Sequence, residues 1–244
     1  QTSYTSGDLR AVFFADTNTG FIPIGTEVLW TTDGGVHWNS QATGSIGNFA
    51  ALFFTDSKHG TAVGGNGAIM YTTDGGINWI AQTSGITVTL WGVAFITNTT
   101  GLTVGDSGTI LRTSDSGATW TPQQSNTETN LRGVSFVDST VAMVIGDNGV
   151  ILRSTDGGST WNKQLSPTRY FAAVSFTNAN TGFIVGGAGT ILRTTTGGEI
   201  TAVEQEKFQV PTLYSLEQNY PNPFNPTTQI RFAIHFEEFI TIEI

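Results

Sequence analysis

The sequence predicts an all-β protein: a β-propeller of four-stranded antiparallel blades, with five repeats counted, followed by a Pro/Asn-rich C-terminal extension. Three observations favour this class. One motif returns at a fixed interval, short segments alternate between apolar and polar residues, and glycine-containing turns separate those segments. The composition agrees, since the 244 residues include 30 glycines and only 12% are charged.

The recurring motif is an eight-residue turn that reads TTDGGVHW, TTDGGINW, TSDSGATW and STDGGSTW. Each copy lies 41 residues after the previous one. The aspartates and tryptophans of the four copies are Asp33 and Trp38, Asp74 and Trp79, Asp115 and Trp120, and Asp156 and Trp161. A fifth, decayed copy, TTTGG at 194–198, has neither the aspartate nor the tryptophan. So strict a period indicates a repeat architecture.

Each repeat contains four short strands in a fixed order. The first strand is apolar and is followed by a polar turn and a second strand. The third strand ends in the motif, and the tryptophan of the motif begins the fourth strand. The five first strands read LRAVFF, FAALFF, LWGVAF, LRGVSF and FAAVSF. Such units of about 40 residues stack radially as propeller blades. The predicted blades are 9–43, 49–84, 90–125, 131–166 and 171–205, within a propeller domain at 1–205.

The last repeat has no tryptophan to open its fourth strand, and EITAVEQ at 199–205 is a candidate replacement. Residues 1–5 resemble the end of an outer strand and could pair beside it, which would cover an open edge and help to close the ring. Five blades could also be an arc of a larger ring. Both alternatives remain open at the level of sequence.

The pattern Ser/Thr-x-Asp-x-Gly-x-x-Trp resembles the Asp-box, or BNR repeat, and its flanks resemble the propeller repeats of the photosystem II assembly factor family. The resemblance implies that the box braces a turn. The carboxylate can accept hydrogen bonds from backbone N–H groups, the glycine supplies a positive φ, and the tryptophan packs beneath. We therefore interpret the four aspartates and four tryptophans as structural, and predict no catalytic residue among them.

Composition argues against several classes of function. The net charge is −9 and lysines number three, which disfavours binding to nucleic acid or to an anionic membrane. Cysteine is absent, so thiolate metal sites and disulfides are excluded. Turns at Asp106 and Asp147 each offer one carboxylate, whereas calcium needs six or more oxygens. We predict no metal and no cofactor.

Arginine and aromatic residues recur at two positions of the repeat. The first position lies on the third strand and the second lies at the start of the first strand. The third-strand set is Trp30, Tyr71, Arg112, Arg153 and Arg193, and the first-strand set is Arg10, Trp91 and Arg132. Because arginine and aromatic residues dominate binding hot spots, these eight are a candidate binding surface. Alternatively, the long side chains cover the seams between blades.

The C-terminal segment 206–244 changes in composition. Its LEQNYPNPFNPTTQIRF run resembles the start of the C-terminal sorting domain of the type IX secretion system, and FITIEI would be only the second strand of that domain. The resemblance implies a secreted or cell-surface protein that engages the type IX machinery, its signal peptide already removed. A plain proline-rich linker is the alternative.

These features together predict a non-enzymatic module for protein binding or structural assembly. A glycan-binding or sialidase-like propeller is an alternative. That chemistry needs an arginine cluster, a tyrosine–glutamate pair and an acid/base aspartate, and FIPIG at 21–25 has phenylalanine where the Arg-Ile-Pro signature would begin. A second alternative is a self-assembling surface or filament subunit, whose tail pairs with a neighbouring chain.

Overall fold

The computed structural model describes residues 9–164, 166 and 169–199, together with the backbone of 215–216 and 232–233. The chain divides into two compact units, Gln1–Gln205 and Glu206–Ile244. The described part of the first unit contains five antiparallel sheets, which confirms the predicted all-β propeller class. In the second unit, strands β20 (Ser215–Leu216) and β21 (Phe232–Ala233) pair antiparallel. No α-helix occurs among the described residues, hence none that could span a membrane.

Four sheets have four strands each and the fifth has three described strands, always paired in chain order. The strands are β1 (Phe13–Phe14), β2 (Gly20–Ile24), β3 (Glu27–Thr31) and β4 (Asn39–Ala42); β5 (Phe49–Phe54), β6 (Gly60–Gly64), β7 (Ile69–Thr72) and β8 (Ile80–Gln82); β9 (Leu90–Phe95), β10 (Gly101–Gly105), β11 (Ile110–Thr113) and β12 (Thr121–Gln123); β13 (Leu131–Phe136), β14 (Ala142–Gly146), β15 (Ile151–Ser154) and β16 (Asn162–Lys163); and β17 (Phe171–Phe176), β18 (Gly182–Gly186) and β19 (Thr190–Thr194). The proposed fourth strand of the last blade and the closing segment 1–5 lie outside the described residues.

The first strand is shorter than the sequence predicts. The pattern LRAVFF predicts a six-residue strand, but only Phe13 and Phe14 pair with β2. Pairing further along would place Pro23 in the ladder, where the other sheets have valine or isoleucine. Proline has no N–H to donate, and this explains why the ladder stops there.

The hydrophobic core lies between successive sheets. Each sheet has a leading face, which packs on the following sheet, and a trailing face, which packs on the preceding one. At the third seam, for example, Leu102, Val104 and Ile110 on the leading face of the third sheet pack against Leu131 and Leu152 on the fourth. At the other three seams, the leading face of one sheet likewise packs on the trailing face of the next.

The strands have two distinct ends. In the fourth sheet, β14 begins at Ala142, opposite Ser154, and finishes at Gly146, opposite Leu131. The Asp-boxes lie at the first of these ends, which we call the box end. The second-to-third-strand turns and the connections between sheets lie at the other, which we call the connection end. Five strand residues separate the two by about 13 Å.

Candidate functional site

The Asp-box is closed by hydrogen bonds within itself. In the third sheet the Thr113 hydroxyl donates to Asp115 Oδ1 at 2.8 Å and accepts from the Gly117 N–H at 2.8 Å. Asp115 also accepts from the backbone N–H and the hydroxyl of Thr119, at 2.9 and 2.6 Å. The other three complete boxes repeat this arrangement. In the decayed fifth copy, the Thr194 hydroxyl still accepts from the Gly198 N–H, at 3.1 Å.

These contacts keep the box carboxylates ionised. Hydrogen bonds from the Thr160 hydroxyl and N–H lower the pKa of Asp156 to about 2. The other three box aspartates also have lowered pKa values. The main cause is a hydrogen bond from the backbone N–H of His37 for Asp33 and from that of Asn78 for Asp74. For Asp115 the main cause is the hydrogen bond from the Thr119 hydroxyl. A carboxyl group held in this way cannot store a proton for acid catalysis near neutral pH.

The box tryptophans pack on the first strand of their own sheet. Trp79 meets Phe54 edge to face at 6.1 Å, and Trp120 meets Phe95 in the same way at 6.1 Å. Each aromatic pair belongs to a different sheet. The eight box residues are therefore distributed one turn per sheet along the box end and do not converge on a ligand.

The third-strand arginines connect neighbouring sheets. Arg112 Nε donates to the carbonyl oxygen of Gly157 at 2.9 Å, and Arg153 Nε donates to that of Gly197 at 3.3 Å. Both acceptors belong to the box of the following sheet. Tyr71 occupies this position in the second sheet, where Gln82 Nε2 donates instead to the next box, at the Ser116 carbonyl, at 2.9 Å. These contacts are those expected of residues that cover the seams.

Two other members of the third-strand set occupy the end sheets. Trp30, in the first sheet, is partly buried against the core at the first seam. Arg193, in the fifth sheet, is exposed. The whole set lies near the box end, because Arg112 pairs with Leu102 one residue from the start of β10.

The first-strand set lies at the connection end, and two of its members, Trp91 and Arg132, contact each other. The Arg132 guanidinium stacks 4.8 Å from the centre of the Trp91 ring, within cation–π range. Two parallel hydrogen bonds join Arg132 to Asp147, Nε to Oδ1 at 3.0 Å and Nη2 to Oδ2 at 2.9 Å, and they raise the pKa of the arginine. Trp91 Nε1 donates to Asp106 Oδ1 at 2.6 Å. The eight predicted surface residues thus form two groups at opposite ends of the strands.

The positioning role of Asp106 and Asp147 was missed in the sequence analysis, which considered them only as metal ligands. A signal was present in the repeat. The two sheets whose first strand carries Trp91 or Arg132, side chains with N–H donors, have aspartate in the facing turn. The second and fifth sheets have alanine on the strand, and Gly65 or Gly187 at the equivalent position of that turn.

A cavity of about 340 Å³ opens beside this contact, and we call it the Arg10–Trp91 cleft. Its lining residues are Arg10, Gly25, Asn48, Phe49, Ala50, Gly65, Thr89 and Trp91. The cleft exists because Ala50 occupies the repeat position held by Arg10 in the preceding sheet and Trp91 in the following one. The small side chain leaves a gap between a guanidinium and an indole, with the polar Asn48 and Thr89 beside it. None of these lining residues carries a carboxylate.

The features of a hydrolase or a metal centre are not assembled near the cleft. Tyr71 lies near the box end, where burial raises the pKa of its hydroxyl. Glu27 accepts a hydrogen bond from Ser40 across the first sheet. Within 9–164, 166 and 169–199, no group of three or more His, Asp or Glu side chains could hold a metal ion.

Comparison with known proteins supports the class that this fold and its boxes define. The family model described as "Photosynthesis system II assembly factor YCF48" matches residues 81–169, about a third of the chain. No curated protein matches by sequence. The chain is therefore a BNR-type β-propeller like the photosystem II assembly factor.

Several solved structures share the fold at low sequence identity. YCF48 from Cyanidioschyzon merolae superposes with a TM-score of 0.65 and 16% identity, over 80% of this chain and 71% of that one. The GH74 enzyme of Niastella koreensis has a TM-score of 0.67 at 16% identity, over 81% of this chain and 38% of its own. U3-55K has a TM-score of 0.68 at 7% identity, over 81% of this chain and 64% of its own. At these identities the likeness shows the fold alone.

Proposed function

We propose that this protein is a non-enzymatic protein-binding or assembly module, and that the Arg10–Trp91 cleft holds a carboxylate-bearing segment of a partner protein. The observation that carries the proposal is the cleft itself, a concave site between a guanidinium and an indole. The match of residues 81–169 to an assembly-factor family supports the general class.

The chemistry of the cleft favours an acidic peptide with a neighbouring apolar side chain. The positive charge of Arg10 favours an anionic group of a ligand beside it. The Trp91 indole offers a flat apolar surface, and Asn48 and Thr89 can hydrogen-bond the peptide backbone. Because Asp106 and Arg132 hold Trp91 from two sides, little side-chain entropy is lost when a ligand packs on it.

Replacing Trp91 by alanine is expected to weaken binding of such a peptide by at least about tenfold, since buried tryptophans are frequent hot spots. Ligands would be selected from a displayed library of acidic peptides, and dissociation constants measured by isothermal titration calorimetry. Arg10→Ala should also weaken binding, whereas Arg169→Ala, at an exposed arginine that precedes β17, should not. Equal affinities of wild type and Trp91→Ala would contradict the assignment of the cleft.

The non-enzymatic part of the proposal is supported by the separation of the residues that a sialidase-like mechanism would need. Tyr71 lies near the box end, the lining of the cleft has no glutamate, and the box aspartates are occupied as acceptors. Release of sugar from sialosides or β-glucans by the purified chain would refute it.

We further propose that segment 206–244 is a type IX sorting signal and that the propeller acts outside the cell or at its surface. The LEQNYPNPFNPTTQIRF run supports this proposal. In a bacterium with a type IX system, and with the same N-terminal signal peptide on both chains, residues 1–244 should reach the surface or the medium, whereas residues 1–205 should remain in the periplasm. Immunoblots of the fractions would measure this. Equal export of both chains would contradict a sorting role.

A further inference from the structure

Four of the five described sheets contain the same β-bulge at the start of the first strand. In the third sheet, Leu90 and Gly92 pair with successive residues of β10, so Trp91 between them has no partner in the register. The extra residues of the four bulges are Ala50, Trp91, Arg132 and Ala172. A bulge interrupts the alternation of a strand and re-aims a side chain, and bulges are frequent next to active sites. Each of these sheets therefore presents one re-aimed side chain at the connection end.

Planar side chains at two of these positions stack on each other. The Arg132 guanidinium lies 4.8 Å from the centre of the Trp91 ring, although two hydrogen bonds also join it to Asp147. A guanidinium donates hydrogen bonds from its edge, so pairing with a carboxylate leaves its flat faces able to stack. The hydrogen bond from Trp91 Nε1 to Asp106 fixes the indole in turn. Bulge side chains of adjacent sheets can thus stack across one seam.

The Arg10–Trp91 cleft is the place where this row of planar groups is interrupted. Ala50, the bulge residue of the second sheet, has no planar group, and Arg10 and Trp91 line the cleft on either side of it. Arg132 stacks on Trp91 from the following sheet, whereas the cleft lies towards the two preceding sheets. A planar group in the cleft would complete a stack that runs from Arg10 through the ligand to Trp91 and Arg132.

We propose that an aromatic side chain of the bound peptide fills this position, inserted between Arg10 and Trp91 in the space that Ala50 leaves. The inference rests on the proposed function and specifies the residue that neighbours the acidic one. The cavity of about 340 Å³ is at the small end of ligand sites, which suits a single side chain and its backbone.

The two walls of the cleft favour an aromatic ring over other side chains. The face of a ring attracts the guanidinium of Arg10, and the ring can also stack on the indole of Trp91 in an offset arrangement. An arginine of the ligand is flat as well, but the positive charge of Arg10 would repel it. An aliphatic side chain gains burial and lacks the ring quadrupole that a guanidinium attracts.

Ala50 is then the residue that determines specificity. Ala50→Trp would place an indole of the protein itself in the position of the ligand ring. The same bulge position already holds an indole in the third sheet, so the variant should fold. It should lose measurable peptide binding, whereas Ala172→Trp, at the exposed bulge of the fifth sheet, should bind like wild type.

The test uses the full 244-residue chain and the acetylated, amidated peptides Gly-Asp-X-Gly and Gly-X-Asp-Gly, where X is phenylalanine, cyclohexylalanine or alanine. Dissociation constants would be measured by NMR titration. In the order that binds better, the phenylalanine peptide should bind about five- to tenfold more tightly than the cyclohexylalanine peptide. Cyclohexylalanine is the larger and more apolar of the two, so burial alone would reverse this ranking.

The outcomes separate this inference from the proposed function. Equal or tighter binding of the cyclohexylalanine peptide overturns the aromatic assignment and leaves an acidic-peptide cleft standing. Failure of all six peptides to bind wild type contradicts the peptide cleft itself, and the inference falls with it. Undiminished binding by Ala50→Trp also overturns the inference. Ala50→Tyr takes the place of Ala50→Trp if circular dichroism shows that the tryptophan variant has unfolded.

Discussion

Replacing Ile151 by alanine is expected to lower the free energy of unfolding by about 2–5 kcal/mol. The side chain is 0% exposed and belongs to the cluster that joins the fourth and fifth sheets, with Phe171 and Leu192 on the far side. Truncation removes apolar contacts and leaves a cavity between two sheets that are held by many other residues, so the site cannot fully collapse. Urea denaturation monitored by tryptophan fluorescence would measure the change.

The matched control is Ile191→Ala, the same residue type at the same position of the next sheet. Ile191 is 42% exposed, so the loss should stay below about 1 kcal/mol. Two similar losses would mean that the leading face of the fifth sheet is covered within a single chain.

Replacing Gly108 by alanine is expected to cost about 2–5 kcal/mol, as the sum of a left-handed backbone penalty and overpacking. Gly108 has a φ of +69°, which side chains other than glycine rarely adopt. A Cβ atom there would lie 1.8 Å from the carbonyl oxygen of Thr127 and 2.8 Å from Ser125 Oγ. The nearer atom belongs to the backbone of the connection to the next sheet, so relief requires that connection to move.

Gly85→Ala separates the two contributions. Gly85 has a similar φ of +73°, but an added Cβ would meet nothing within 4 Å. It should therefore cost only the conformational penalty, about 1–2 kcal/mol. Thermal or urea unfolding of both variants would give the difference due to crowding. If the two variants lose the same stability, the connection that contains Thr127 can move without a free-energy cost and does not fix the turn at Gly108.

The repeat pattern alone was sufficient to predict the order of the strands that the structure describes in the five sheets. The period of 41 residues marks equivalent sheets, and the alternation of apolar and polar residues marks two faces of each strand. Such signals are local: a meander pairs neighbouring strands, so sequence order becomes sheet order. The shortening of β1 also has a local cause, since Pro23 is visible in the sequence and cannot donate to the ladder between β1 and β2.

The candidate site was predicted less well, because it depends on which ends and which neighbours come together. The sequence grouped eight arginine and aromatic residues into one surface, but the antiparallel register places Arg112 near the box end and Arg132 at the connection end. The cleft beside Trp91 arises from the small side chain of Ala50 between two larger neighbours, and its significance appears only when three sheets lie side by side.

The sequence by itself determined that this chain builds equivalent antiparallel sheets braced by internally hydrogen-bonded turns, because each sheet and each turn is made by residues close together in the chain. Only the tertiary structure decided that the two end sheets leave Val12 and Ile191 in solvent. The reason is geometric. Every sheet carries the same two apolar faces, and no local pattern states how far one sheet rotates from the next, so the sequence cannot say whether the last sheet meets the first.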